Sequence, residues 1–137
     1  MTELSIAWRG SFTDAEVNRL HADAFDHRVF DDRWNTLVVE HSLGWVTARS
    51  DDRLVGFVNI VWDGQIHAWI QDTIVAPSAQ RSGVGTRLVN AARDEARAAG
   101  CEWLHVDFDD HLKSFYFEAC GFAPTNAGLI DLTDTET

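Results

Sequence analysis

In 137 residues the chain has two cysteines, two prolines, one tyrosine, and half as many basic residues as acidic ones, 11 against 22. Each shortage excludes something. Cys101 and Cys120 are too few for a disulfide scaffold and lack metal-type spacing, so they are expected as reduced, buried thiols, and no metal is expected. No apolar run approaches the roughly 20 residues of a membrane span, and the start MTELSIAWRGSF lacks the basic region and apolar block of a signal peptide. A cytoplasmic protein with no membrane partner is expected. The net charge of -11 argues against a nucleic-acid partner and favours a cationic or neutral small substrate, although an acidic surface also serves solubility alone. There is no repeat, low-complexity tract or Pro/Gly-rich linker, so residues 1–137 read as one domain. At 45% apolar and 24% charged residues it is globular rather than disordered, and its length buries roughly two thirds of the unfolded surface.

Periodicity then orders the elements. Leu4 to Trp8 is a short strand, and Thr13-Asp14-Ala15-Glu16 is a capping box ahead of Val17, Leu20, Ala24 and Phe25 at helical spacing. A second helix is expected over about Asp31 to His41. An antiparallel hairpin is expected from Leu43–Arg49 and Leu54–Trp62 around Ser50-Asp51-Asp52. After the Asp63-Gly64 turn come a strand, Ile66 to Ala76, a helix from Val84 to Ala99 ended by Gly100, and a strand from Cys101 to Phe108. Asp110 is expected to cap a helix running to Cys120, with Gly121 ending it. One or two short strands over Phe122 to Leu132 and a frayed acidic tail complete the expectation. This order is an α/β layer fold with a mixed sheet.

The stretch Gln80-Arg81-Ser82-Gly83-Val84-Gly85-Thr86 stands between a strand and a helix. It lacks the Gly-Lys-Ser/Thr ending of a Walker A loop, and Leu88 stands where a dinucleotide fingerprint needs its third glycine. What remains is a helix N-terminus whose free amides and positive dipole end suit an anion, or an ordinary tight turn. From Thr73 to Arg93 there is no Asp or Glu, yet there are three arginines, Arg81, Arg87 and Arg93.

Gln80 to Gly85 is similar to the Gln/Arg-x-x-Gly-x-Gly/Ala signature of the GNAT superfamily of acyl-CoA N-acyltransferases. Ile70 to Pro77 resembles the strand before that loop. Phe115-Tyr116-Phe117-Glu118-Ala119-Cys120-Gly121-Phe122 resembles the late helix ending in Gly-Phe, so the likeness runs from about residue 54 to 122. The resemblance implies a mixed, mostly antiparallel central sheet flanked by helices, with coenzyme A bound where two parallel strands splay. It also implies acetyl-CoA as co-substrate, an amine on a small molecule or peptide as acceptor, and a homodimer. Carried over by position, the pyrophosphate falls on Gln80, Arg81, Ser82, Gly83, Val84, Gly85 and Thr86. Pantetheine falls on the backbone of Ile74 and Val75.

Acyl transfer to an amine needs a base and either an acid or another way to stabilise the leaving thiolate. Alternation places Asp72 with Ile66, Ala68, Ile70 and Ile74, where burial raises a carboxylate's pKa and suits it to be a base, directly or through water. The alternative is an Asp at a bulge or capping a loop. His105 shares a face with Trp103 and Asp107 and is read as solvent-facing, with no role. In the resembled family a tyrosine stands where this chain has Phe117, and Tyr116 carries the only phenol. Three readings stay open: Tyr116 as acid in a shifted helical register, a thiolate leaving without an acid, or an acyl-CoA-binding module without catalysis. Among the aromatics, Trp34 and Trp62 are the candidates for an amine pocket, with core packing as the alternative.

Overall fold

Thr13 starts the first helix as expected. Its hydroxyl accepts from the Glu16 amide at 3.1 Å, and the Glu16 carboxylate accepts from the Thr13 amide at 2.9 Å. The structure, a computed structural model, describes residues 3–134. Among these residues three α-helices, α1 (Asp14–Phe25), α2 (Trp34–His41) and α3 (Val84–Ala98), flank five strands. These are β1 (Leu4–Trp8), β2 (Ser42–Ser50), β3 (Arg53–Trp62), β4 (His67–Val75) and β5 (Trp103–Val106). The sheet keeps chain order, β1-β2-β3-β4-β5, antiparallel except where β4 pairs with β5 in parallel after the α3 crossover.

Two neighbours on β3 show how the layers divide. A side chain at Gly56 would meet Leu88 and Val84 of α3, whereas the Phe57 ring packs edge-on against Phe12 and Trp34. Adjacent strand residues point to opposite faces, so α3 covers one side of the sheet and α1 with α2 the other. From α3, Val84, Leu88, Val89, Ala92 and Ala96 are buried, the expected apolar stripe. Leu88 is wholly buried, and Leu88→Ala would cost about 2–5 kcal/mol through the hole it leaves.

The expected elements hold up to Gly100, with α2 beginning at Trp34 rather than near Asp31. After that the chain departs from the expectation. The strand expected over Cys101 to Phe108 narrows to Trp103–Val106. Asp110 caps no long helix: a 3-10 turn spans Asp110–Leu112, and Ser114–Ala119 is π-helical, with the Cys120 amide bonded to the Phe115 carbonyl five residues back at 3.0 Å. No strand forms over Phe122 to Leu132. Leu129, Ile130 and Leu132 are 85%, 83% and 88% exposed, and a strand needs a pairing partner that this segment lacks. The acidic tail lies, from residue 135 on, outside the described residues. Cys120 is buried and Cys101 half-buried, both as free thiols, and no cluster suited to a metal occurs among the described residues. No helix among the described residues is long and apolar enough to cross a membrane.

Candidate active site

The parallel pairing of β4 and β5 stops at Ile70 opposite Val106, while β4 runs on to Val75. Beyond that point the two strands part. The gap is a cleft of about 610 Å³, walled by Gln71 to Ile74 on one side and by Asp107, Asp109, Leu112 and Tyr116 on the other. His21 and Phe25 of α1 stand at its edge, with Ala127 to Leu129 also lining it.

A β-bulge sets the side chains on the β4 wall. Asn59 pairs with Asp72 but its neighbour Ile60 pairs with Ile70, so Gln71 is the extra residue. Paired residues share a face, and Asn59 and Ile60 face opposite ways. Asp72 therefore does not share a face with Ile70, as simple alternation had it, although it still faces with Ile74. The buried Asn59 amide donates to Asp72 Oδ2 at 3.3 Å, and Asn59 Oδ1 accepts from the Ser42 hydroxyl, so the carboxylate is held from behind. Burial pushes the Asp72 pKa up against the opposing pull of the Asn59 bond and His21.

On the other wall the π-helical turn decides which ring enters. Tyr116, buried at 5% exposure, lines the cleft, stacks on Phe108 and donates through its hydroxyl to Thr73 Oγ1 at 3.3 Å. Phe117 packs edge-on against Phe108 and does not line the cleft. Burial holds the Tyr116 hydroxyl above its usual pKa of 10, so it stays protonated at neutral pH.

Beyond the end of β4 lies the glycine loop. Gly83 takes φ of 87° as the residue before α3, a conformation that only glycine adopts freely, and a Cβ there would meet nothing within 4 Å. No side chain caps α3, so the first-turn amides at Val84, Gly85 and Thr86 have no partner within the helix. Gly85 serves packing instead. A Cβ at that position would stand 3.1 Å from the Phe115 ring, so its bare Cα lets the π-helical segment pack on the start of α3. Ser82 donates to the Ala79 carbonyl and Gln80 Nε2 to the Val75 carbonyl at 3.1 Å, tying the loop together and back to β4. Arg81 is exposed with φ of 66°, and Arg87 faces a second groove shared with Arg53 and Ser78. Arg93 is engaged with Asp94 at 3.0 Å, away from the loop. These features fit a diphosphate: open backbone amides, a helix of 15 residues behind them, and nearby arginines.

The strand expectation for pantetheine changes in one respect. The Ala76 amide bonds to the Val55 carbonyl at 2.8 Å, so antiparallel alternation sends the backbone of Ile74 toward β3 as well. Thr73 and Val75 therefore turn their backbones to the open edge instead, where the Val75 carbonyl already accepts from Gln80 Nε2. The two tryptophans are not brought to the cleft. Trp34 is buried at 7% exposure, its indole N–H donating to Asn18 Oδ1 at 3.1 Å, and it reaches the site only by packing against His21. Trp62 pairs with Ala68, on the α3 face and at the far end of β4.

Sequence reasoning overlooked His21, and no local signal marks it. It sits in mid-α1, and only the tertiary fold brings its ring beside the cleft. Its Nδ1 lies 2.6 Å from His27 Nε2, and His27 Nδ1 lies 2.5 Å from the Arg28 carbonyl. Burial first, then the His27 ring, lowers the His21 pKa from its usual 6.5. Asn59 was likewise missed, a polar residue inside an otherwise apolar strand.

Similarity to known proteins agrees with this geometry. Mycothiol acetyltransferase from Rhodococcus erythropolis is 34% identical over 58 residues, 42% of this chain but only 19% of that relative's length. A probable acetyltransferase from meticillin-resistant Staphylococcus aureus superposes with a TM-score of 0.78 at 19% identity, over 94% of this chain and 98% of that one. AAC(6')-Iy, solved with the bisubstrate analogue CoA-S-monomethyl-acetylneamine, superposes with a TM-score of 0.75 at 16% identity, over 95% and 97% of the two chains. Those two likenesses show the fold. The sequence profile of the Acetyltransferase (GNAT) family matches residues 5–122, nearly the whole chain, and the protein belongs to that family.

Proposed function

We propose that the protein transfers an acetyl group from acetyl-CoA to the amine of a small cationic molecule in the cytoplasm, by direct attack in a ternary complex. The observation that carries this reading is the charge layout of the cleft. Asp72, Asp107 and Asp109 line it and, among the described residues, no Lys or Arg does, while Arg81 stands exposed in the glycine loop. Opposite charges are thereby sorted: the coenzyme's phosphates to the loop, a protonated amine to the cleft.

The loop amides at Val84, Gly85 and Thr86, with Arg81, would hold the pyrophosphate. The open edge of β4 at Thr73 and Val75 would pair with pantetheine. Acetyl-CoA, when bound, supplies a thioester carbon open to attack. Asp72, fixed by Asn59, receives the amine, and its half-buried carboxylate serves proton removal either directly or through a neighbour. Tyr116 delivers a proton to the departing sulfur, since its raised pKa keeps the proton available. Neither cysteine lines the cleft, so no thiol is placed to carry the acetyl group, and transfer is direct.

The test is thiol release from acetyl-CoA with a panel of polyamines, amino sugars, peptides, and neutral and acidic amines. Release with polycationic amines and intersecting two-substrate kinetics are expected. No release with any amine, despite coenzyme binding measured by calorimetry, would leave an acyl-CoA-binding module instead.

A further inference from the structure

The two imidazoles beside the cleft form a relay whose protonation the surrounding atoms dictate. The Arg28 carbonyl can only accept, so His27 Nδ1 carries a hydrogen, and in the neutral ring His27 Nε2 is then an acceptor. His21 Nδ1 must donate to it, which leaves the lone pair on His21 Nε2. That nitrogen has no hydrogen-bond partner among the described residues, yet no fully buried side-chain nitrogen among them lacks one, so it is not sealed from solvent, and the residue that carries it lines the cleft. The backbone explains the pairing. Asp26 takes a left-handed conformation at the end of α1, and the His27 amide turns back to the Ala22 carbonyl at 3.2 Å, bringing residue 27 beside residue 21. Phe30 stacks on the outer face of His27, with ring centroids 4.4 Å apart, and Trp34 backs His21.

We propose that His21 is the base that takes the proton from the attacking amine, with His27 as the positioning residue that fixes its tautomer; this rests on the acetyl-transfer reading above. The amine lone pair forms the N–C bond while the carbonyl π pair moves onto oxygen. The N–H electron pair stays on nitrogen as the proton passes to His21 Nε2. The oxygen pair then restores the carbonyl, the C–S pair leaves on sulfur, and sulfur takes the Tyr116 proton. Solvent removes the proton from His21 and returns one to Tyr116. The ammonium held at Asp72 first loses one proton to solvent water, which gives the neutral amine that attacks; the second N–H proton, lost after attack, goes to His21 rather than Asp72, because an imidazole's pKa lies nearer to working pH than a carboxylate's.

The groups that set His21's charge come from every neighbouring element. His27 disfavours the imidazolium, and so does burial, the largest influence; Asp32 from the segment after α1 and Asp72 from β4 favour it. Asp107 and Asp109 face the same cleft from beyond β5. Burial and His27 prevail, so His21 is neutral and able to accept a proton at pH 7.

The test compares pH profiles of kcat/KM for the amine in wild type, His21→Gln and His27→Phe, with acetyl-CoA affinity measured alongside. In His21→Gln, kcat/KM is expected to fall about 100-fold, the scale of one positioned base, and the acid limb to flatten, with coenzyme affinity held. In His27→Phe the acid limb should move to higher pH, because a neighbour that disfavours the imidazolium is gone; a structural defect would lower activity without moving the limb. A wild-type profile in His21→Gln, with transfer intact, would overturn the base assignment alone. A wild type that releases no thiol with any amine would overturn the acetyl-transfer reading and this one with it. Nitrogen-15 NMR of the wild type at neutral pH gives a readout without turnover: both rings with hydrogen on Nδ1 are expected, and His21 with hydrogen on Nε2 would refute the relay.

Discussion

Tyr116 donates its hydroxyl hydrogen to Thr73 Oγ1 at 3.3 Å, joining the π-helical segment to β4 across the gap where β4 and β5 part. The bond holds the phenol in the cleft and leaves the oxygen able to accept, so a hydroxyl buried among Phe108, Phe115 and Phe122 keeps a partner.

Tyr116→Phe preserves the packing and removes the proton. Its kcat should fall about 100-fold, the low end for a positioned acid, while acetyl-CoA affinity stays unchanged. Steady-state kinetics with calorimetry measure both. Because burial raises the phenol's pKa above 10, wild-type activity should show no alkaline loss from this group below that pH. Unchanged turnover in Tyr116→Phe would mean that the thiolate leaves without this acid.

Asp72→Asn should separate stability from activity. A carboxylate whose folded pKa is raised above its unfolded value favours folding only at low pH, and that contribution is lost as pH rises through the folded pKa. At pH 7 the ionised group is a burden, so Asp72→Asn is expected to hold or raise Tm. Its kcat/KM for a cationic amine should drop about 10- to 100-fold, matching the loss of about 1.5–3 kcal/mol for one charged hydrogen bond. Thermal melts beside kinetics decide it; a lower Tm would contradict the assigned sign.

The two glycines of the loop should fail for different reasons. At Gly83 the cost lies in the backbone at φ of 87°, so Gly83→Asn should lose less stability than Gly83→Val, and the valine variant should lose its thermal shift on adding coenzyme A. At Gly85 the cost is collision with Phe115. Gly85→Val should destabilise by about 1–3 kcal/mol, and Phe115→Ala in the same chain should return part of it. Denaturant titration of these four variants and of Phe115→Ala alone tests the contrast, and additive losses at Gly85 and Phe115 would refute the packing argument.

Acid should loosen α1 from the sheet. Arg49 grips both Glu16 oxygens at 2.7 and 2.9 Å and also donates to the Ser11 and Asp52 carbonyls, and its guanidinium, ahead of the Thr13 bonds, lowers the Glu16 pKa to about 2 from 4.5. A depressed carboxylate stabilises fully above its unfolded pKa, so this contribution should be intact above pH 4.5 and fade as pH falls toward about 2. Arg49→Met should remove most of that pH dependence, leaving the part that the Thr13 bonds supply, and cost about 1 kcal/mol at neutral pH, the upper range for a partly exposed pair. Tm measured from pH 7 to pH 2 checks both.

What was legible in the sequence was whatever neighbours along the chain decide. The capping box at Thr13, the apolar stripe of α3 and the glycine before it all depend on residues within about one or two helical turns. The bulge at Gln71 was not legible, because pairing with Asn59 and Ile60 creates it, and it moved Asp72 off the Ile70 face. Phe122 to Leu132 pairs with no strand, although the outer side of β5 is unpaired, and its apolar residues Leu129, Ile130 and Leu132 stay exposed. Tyr116 at the cleft depends on a π turn that an α-helical count does not contain. Trp34 reads from sequence as a pocket wall until Asn18, 16 residues earlier, takes its N–H.

A crystal structure with acetyl-CoA bound tests the central claim most directly. The expected result has pyrophosphate oxygens within hydrogen-bond reach of the Val84, Gly85 and Thr86 amides, pantetheine along Thr73 and Val75, and the sulfur beside the Tyr116 hydroxyl. Coenzyme lying instead in the groove of Arg53, Ser78 and Arg87, with the sulfur remote from Tyr116 and Asp72, would contradict it.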